Sequence, residues 1–307
     1  MPQVEPVPFA PGSLLWDLAG EHRGMLVFLM PTLMQAMHPI IGDALSRMPV
    51  VLTDPYGRRE RSVDSIHLWI YGGAEAVAEG RRLIELHKPV KGRGPDGRDH
   101  SALMPEVWSW VPLSAYPAFL MQCEVFGDPL DAADRVRLYA EVQNLARILG
   151  VREQHIPPTV EDFWVYYDEM VSTRLVDHPF VHEVLDQLTR VGPPPELPAV
   201  LHPLWRAVIP LVGAASRFTV HGTFPPEVRA ILGIDWTPRD ERLFRLLGQA
   251  VRYAVRLSPE WLRYPATPRL ARRLARAEAG GRPTAALRRR LAQRVGVLHG
   301  RHTTSLT

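Results

Sequence analysis

Apolar residues return every three or four positions along almost the whole chain, while the strict alternation of a half-buried strand is almost absent. That periodicity predicts a nearly all-α fold, a single bundle of helices. Ser13 stands as an N-cap before Leu14, and Met25 to Leu45 keeps helical period across a break at His38 and Pro39, which predicts two packed helices around a kink. Val63, Ile66, His67 and Ile70 share one helical face, which Gly72 and Gly73 end. The next helix, from Ala74 to about Lys88, sets Val77, Gly80, Ile84 and His87 on one stripe, with Arg81 at its edge and Arg82 turned away. Further on, Asp131 caps a helix whose Val136, Tyr139, Val142, Leu145 and Leu149 face one way, and Gly150 stops it. Thr159 opens another helix, and helical segments over 179–190, 200–218 and 239–257 follow, with a proline-rich linker at 192–198.

With 307 residues, 46% of them hydrophobic and 22% charged, the chain has the balance of a soluble globule large enough to enclose a pocket. The greasiest run, Met25 to Met37, is broken by Pro31, Thr32 and Gln35, so it reads as a buried core helix and no transmembrane segment is expected. The first residues lack the pattern of a secretory signal, which makes a cytoplasmic location the expectation. Cys123 is the single cysteine, which excludes an intrachain disulfide and a cysteine zinc cluster and leaves a small buried hydrophobe as its reading.

Charge divides the chain into a lead (1–13), a helical domain (14–262) and a basic tail (263–307). The tail holds 11 Arg, no Lys and one acid, against 25 basic and 32 acidic side chains in the rest. Such an end suits contact with an anionic surface. It matches no nucleic-acid motif and has no aromatics after Tyr264, so no specific nucleic-acid partner is expected, and it reads as a solvated, partly helical or disordered tail.

The walls of any active site are expected between Tyr71 and Phe126. There a helix ends at His87, a glycine-rich loop runs from Gly92 to Gly97, and a helix bent by Pro112 and Pro117 carries Trp108 and Trp110. The loop spells G-x-G-x-x-G, but a helix precedes it and Pro95 sits inside it, which excludes a dinucleotide fingerprint. His178 and His182 are spaced for a metal on one helix face, yet no Glu follows His178 and Pro179 puts it outside the helix, so both read as surface or capping histidines. No nucleophile elbow, P-loop or calcium loop is present in the sequence. What remains is an aromatic interior with inward histidines, which suits a bulky apolar ligand or haem and equally a plain core.

The order of several segments carries a resemblance. QAMHPIIGDAL (35–45), DPYGRRERSVDSIHLWIYG (54–72), EGRRLIELHKPVKG (79–92), DGRDHSALMPEVWSWV (96–111), YYDEM (166–170) and GTFPPEVRAILGIDWTPRDERL (222–243) resemble, in sequence and order, the MpaB / rubber oxygenase family, which includes the latex-clearing proteins. The resemblance runs from about Leu14 to Arg273. It implies a globin-like bundle enclosing a large apolar pocket with haem b, and a dioxygen-using oxidoreductase that oxidises or cleaves an unsaturated, apolar small molecule. Carried over, Arg82 or Arg81 and His87 are the catalytic candidates at a haem edge or bound oxygen, against a salt bridge and a core imidazole as their plainer roles.

At one position the resemblance breaks. Where the family reads Trp-Val-His and takes its axial imidazole, this chain reads Trp110, Val111, Pro112, and proline has no atom to give a metal. His87, His67, His100 and His38 are then the candidate ligands, with Trp110 beside them. Two functional classes follow: a haem oxygenase with altered axial ligation, as a tailoring enzyme, or a haem-free descendant that binds a ligand or performs acid–base steps with Arg82, His87 or Glu85.

Overall fold

Prolines and short polar caps set where the helices begin in the computed structural model, which describes residues 4–48 and 50–304. After α1 (Leu14–Leu18) and α2 (Met25–Ala36), His38 is extended and Pro39 takes the first position of α3 (Pro39–Ser46), so the path turns by 101° as the kink reading expects. The short α4 (Val50–Thr53) leads to α5 (Pro55–Tyr71), where Asp54 accepts from the Gly57 N–H. Gly73, at φ +57°, makes the turn into α6 (Glu75–His87).

The glycine-rich stretch, expected as a loop, is a hairpin. Strands β1 (Lys91–Arg93) and β2 (Asp99–Ser101) pair antiparallel with Gly92 opposite His100. A side chain at 92 would run into the Ile40 carbonyl of α3, so Gly92 is there for close approach of two backbones rather than for a phosphate. Next come α7 (Pro105–Leu113) and α8 (Ala115–Phe126), bent apart at Ser114 as the two prolines foretell.

Asp131 caps α9 (Ala132–Ile148), and Thr159 caps α10 (Val160–Glu169), which runs into a π-helical turn over Met170–Arg174. His178 caps α11 (Pro179–Gln187) through Nδ1, which accepts from the Phe180 N–H. Then α12 (His202–Thr223), α13 (Pro226–Ile231), α14 (Pro238–Leu257, with a Thr237/Asp240 capping box), α15 (Glu260–Arg263), α16 (Ala266–Ala279) and α17 (Ala285–Thr304) complete the all-α fold.

At the centre α2 packs on α8, α9 lies against α7 and α8, and α12 and α14 cover α2 and α8 from outside. On the other side α5 pairs with α6 and carries α16 and α17. The Arg-rich end is thus helical and packed rather than a solvated tail: Ala271 and Ala277 are buried, and Arg263 reaches the buried Glu21 at 2.7 Å. Val136 departs from its expected place on the inner face of α9 and is exposed, whereas Tyr139, Val142, Leu145 and Leu149 are buried.

The interior expected to enclose a large pocket is filled with rings. Tyr116, Tyr139, Phe163, Trp164 and Tyr167 stack edge-on or tilted with centroids 5.0–5.9 Å apart. A cleft of about 460 Å³ lies outside this cluster between α8, α13 and α14, and another of about 560 Å³ lies between α16 and α17. Neither is lined by the aromatic interior. One stretch, Ala199–Thr223, is long and apolar enough to cross a bilayer by length and composition; a search for uninterrupted apolar runs misses it because Arg206, Pro210 and Arg217 intervene.

Candidate functional site

The side chains nominated from sequence separate onto two faces of α7. Four residues apart on a helix is about 40° around the axis, so Pro112 shares the Trp108 face, toward α6 and α9. Two residues apart is about 200°, so Trp110 points the other way, toward α10.

The Trp108 face is closed. Trp108 donates from Nε1 to the Leu149 carbonyl at 2.9 Å and meets the His87 ring edge at 5.2 Å. His87 donates from Nδ1 to the Leu83 carbonyl at 2.8 Å, and burial lowers its pKa, so it is a neutral core imidazole held by its own helix. Above it, Gly80 lies so near α9 that a Cβ would sit 2.0 Å from the Ile148 oxygen.

The arginines of α6 exchange their expected places. Arg81 is exposed, and Arg82, expected to turn away, points inward to form a two-pronged pair with fully buried Glu79, both bonds 2.7 Å. Ser65 donates to the same carboxylate at 2.9 Å. A guanidinium so engaged is structural, because taking it away would strand a buried carboxylate. Glu85, the remaining α6 candidate, is exposed and pairs with Lys88.

His67 and His100 are also away from any shared centre. His67 is buried beside the Tyr71 ring, with its pKa lowered to about 4 by burial, then by Arg294 and His22. His100 sits on the hairpin and bonds Asp96 at 2.8 Å. His182 likewise pairs with Asp177, and no cluster of three metal-donor side chains occurs among the described residues. Cys123 is buried, and burial pushes its thiol up to about 11, as a structural cysteine should be.

The other face of α7 also meets polar groups with unused capacity. His38, 4% exposed at the start of α3, has Nε2 3.6 Å from Oε1 of Glu106, while its Nδ1 is buried with no partner. Arg174, at the end of the π-helical turn, holds the same Glu106 oxygen at 2.8 Å. Burial lowers the His38 pKa, Glu106 opposes that and Arg174 reinforces it. One to two turns on, Trp110 is fully buried with Nε1 unpartnered, 6.2 Å from the Tyr166 ring, and the buried Tyr166 hydroxyl beside Ser109 also has no well-formed hydrogen bond. Orphan polar atoms are costly in an interior, and the Nδ1 of His38 and the Nε1 of Trp110 are two of them beside α7.

Of the nominated residues, then, only His38 and Trp110 belong to this group. Glu106, Arg174 and Tyr166 are additions. Glu106 sits in the first turn of a proline-started helix, where an acid is ordinary, and Arg174 is 68 positions away in sequence, so neither carries a local signal. The one available hint is the π-helical turn, a device frequent at functional sites, which the sequence does not announce.

An iron bound as the resemblance implies does not fit at position 112. Pro112 offers no donor, Trp108 fills the space beside it, and Gly80 brings α6 onto α9.

Fold and site together define an all-α helical bundle in which α2 and α3 form a broken pair and the polar group of His38, Glu106 and Arg174 lies beside α7. Residues 16–253 match the family described as ER-bound oxygenase mpaB/B'/Rubber oxygenase, catalytic domain, and the chain belongs to that family. Two uncharacterized proteins, one from Mycobacterium bovis and one from Mycobacterium tuberculosis, are each 26% identical to it over 240 residues, covering 76% of this chain and 90% of their own length. No solved structure matches.

Proposed function

We propose that this chain is a member of the oxygenase family that has given up the family's axial iron position and acts on an apolar small molecule through His38, Glu106 and Arg174. The carrying observation is the unpartnered Nδ1 of His38, a neutral imidazole at neutral pH whose other nitrogen faces a carboxylate. In that state Nδ1 takes a proton from a substrate C–H or O–H, Glu106 stabilises the imidazolium across 3.6 Å, and Arg174 holds Glu106 in place. Trp110 Nε1 and the Tyr166 hydroxyl are donors for a substrate oxygen. A substrate would enter on the side of Glu106 and Arg174, both of which are partly exposed.

A second reading keeps the haem and moves its ligation to His38. It is favoured by the same free nitrogen, since a ligating histidine commonly bonds a carboxylate through its other nitrogen.

Thermal-shift screening of apolar small molecules bearing an ionisable C–H or O–H tests the first reading. Hits are expected to raise the melting temperature of the wild-type protein and of Arg81→Ala, and to lose that effect in His38→Gln and Glu106→Gln. Hits that bind His38→Gln and Glu106→Gln as well as wild type would contradict it.

A further inference from the structure

The outer layer leaves two helix faces apolar and bare. On α14, Leu243, Leu246, Tyr253 and Leu257 recur at spacings of three, seven and four and are all exposed, Leu257 to 86%. This face points away from the bundle, because the residues of α14 that meet α8 or line the neighbouring cleft, Phe244, Gly248 and Arg252 among them, lie on the opposite side. On α12, Leu204, Val208 and Leu211 repeat the pattern, with Leu211 74% exposed. Only 6% of the most apolar window of that helix is buried. The next short helix, α15, adds exposed Trp261 and Leu262. Scattered surface leucines are ordinary, but two neighbouring helices of one layer that both turn their apolar stripes outward form a patch that needs a partner.

Charge decides which partner. Exposed Arg239 and Arg242 flank the α14 stripe, while Arg245 is engaged by Glu241 and Arg256 by Asp128. The only acids on the two helices, Asp240 and Glu241, are taken up by the Thr237 cap and by Trp236 with Arg245. A second copy meeting this face across a twofold axis would set arginine against arginine. An anionic bilayer surface satisfies both components at once, with leucines and aromatics in the acyl boundary and guanidinium groups at lipid phosphates. Crossing the bilayer is a poorer use of α12, whose second half is held in the bundle: Gly213 rests on the Leu188 carbonyl, and Val220, Gly222 and Thr223 are buried.

From this arrangement we infer that the α12–α14 face docks the protein, lying in the plane of the interface, on membranes containing anionic phospholipid. This does not depend on the His38 site.

Vesicle flotation of the full chain tests it, with phosphatidylcholine vesicles and with an equal mixture of phosphatidylcholine and phosphatidylglycerol. Wild type should float with the mixed vesicles, more weakly in high salt, and poorly with phosphatidylcholine alone. The pairs Leu204→Glu with Leu211→Glu and Leu246→Glu with Leu257→Glu, all at exposed positions, should keep the wild-type circular dichroism and lose at least tenfold in vesicle affinity. The inference is overturned by wild type that does not float, or by flotation that both folded variants retain. It is overturned equally if sedimentation shows a dimer that both variant pairs dissolve while no flotation occurs, which would give the face to a second copy.

Discussion

Gly80 lies against Ile148 so closely that a Cβ would come within 2.0 Å of the Ile148 carbonyl oxygen. That contact brings α6 onto α9 and, with Trp108, closes the region where the family's axial histidine would face. Gly80→Ala must push two backbones apart, because the obstacle is a carbonyl rather than a mobile side-chain tip. Urea denaturation should show a loss of about 1–3 kcal/mol, where an alanine in an open helix would add stability. A neutral or stabilising result would mean that the seam between α6 and α9 is loose.

The two neighbouring arginines of α6 should separate sharply. Arg82→Met leaves Glu79 buried without its cation and should cost about 3–5 kcal/mol, whereas exposed Arg81→Ala should stay within about 0.5 kcal/mol. Adding Glu79→Gln to Arg82→Met should recover part of the loss, since the stranded charge is then gone. Melting temperatures of the four proteins check this, and equal effects at 81 and 82 would contradict the pairing.

These residues also show what the sequence could reveal. The helical period, the break at Pro39, the bends at Pro112 and Pro117 and the caps at Asp131 and Thr159 are local chemistry, and the fold follows them. The inward face of α6 was misread between 81 and 82 because the stripe through Val77, Ile84 and His87 leaves either arginine near its edge, and the deciding partner, Glu79, looks like a surface acid until α5 supplies Ser65. The hairpin was missed because three-residue strands in a glycine-rich stretch have no periodicity to detect. Pro112 was legible as a missing donor, but the closure beside it depends on where α9 ends. The group around His38 is assembled by two contacts, each 68 positions apart in sequence, which no local pattern encodes.

Stability should depend on pH through His67. Its pKa is near 4 folded and 6.5 when free, so the unfolded chain binds the extra proton between those values. The contribution is fully present above about pH 6.5 and is lost as pH falls toward 4, by up to ~3 kcal/mol. His67→Gln, which cannot titrate, should flatten that part of the profile. Parallel urea titrations from pH 7 to pH 4 check the sign, and a wild-type profile no steeper than that of the variant would contradict the burial of a neutral imidazole.

The central claim is that the working face of α7 is the one carrying Glu106 and Trp110, without iron at position 112. Its most direct test is the haem content of the protein purified from haem-supplemented cells, read by the Soret band and the pyridine haemochrome for wild type, His38→Gln and Pro112→His. The account predicts no stoichiometric haem in wild type, and none gained by Pro112→His, because Trp108 and the contact of Gly80 with Ile148 keep that side of the helix closed. Stoichiometric haem in wild type that His38→Gln abolishes would contradict the proposed acid–base site and hand His38 to the metal, and a haem that Pro112→His binds and wild type does not would contradict the closure itself.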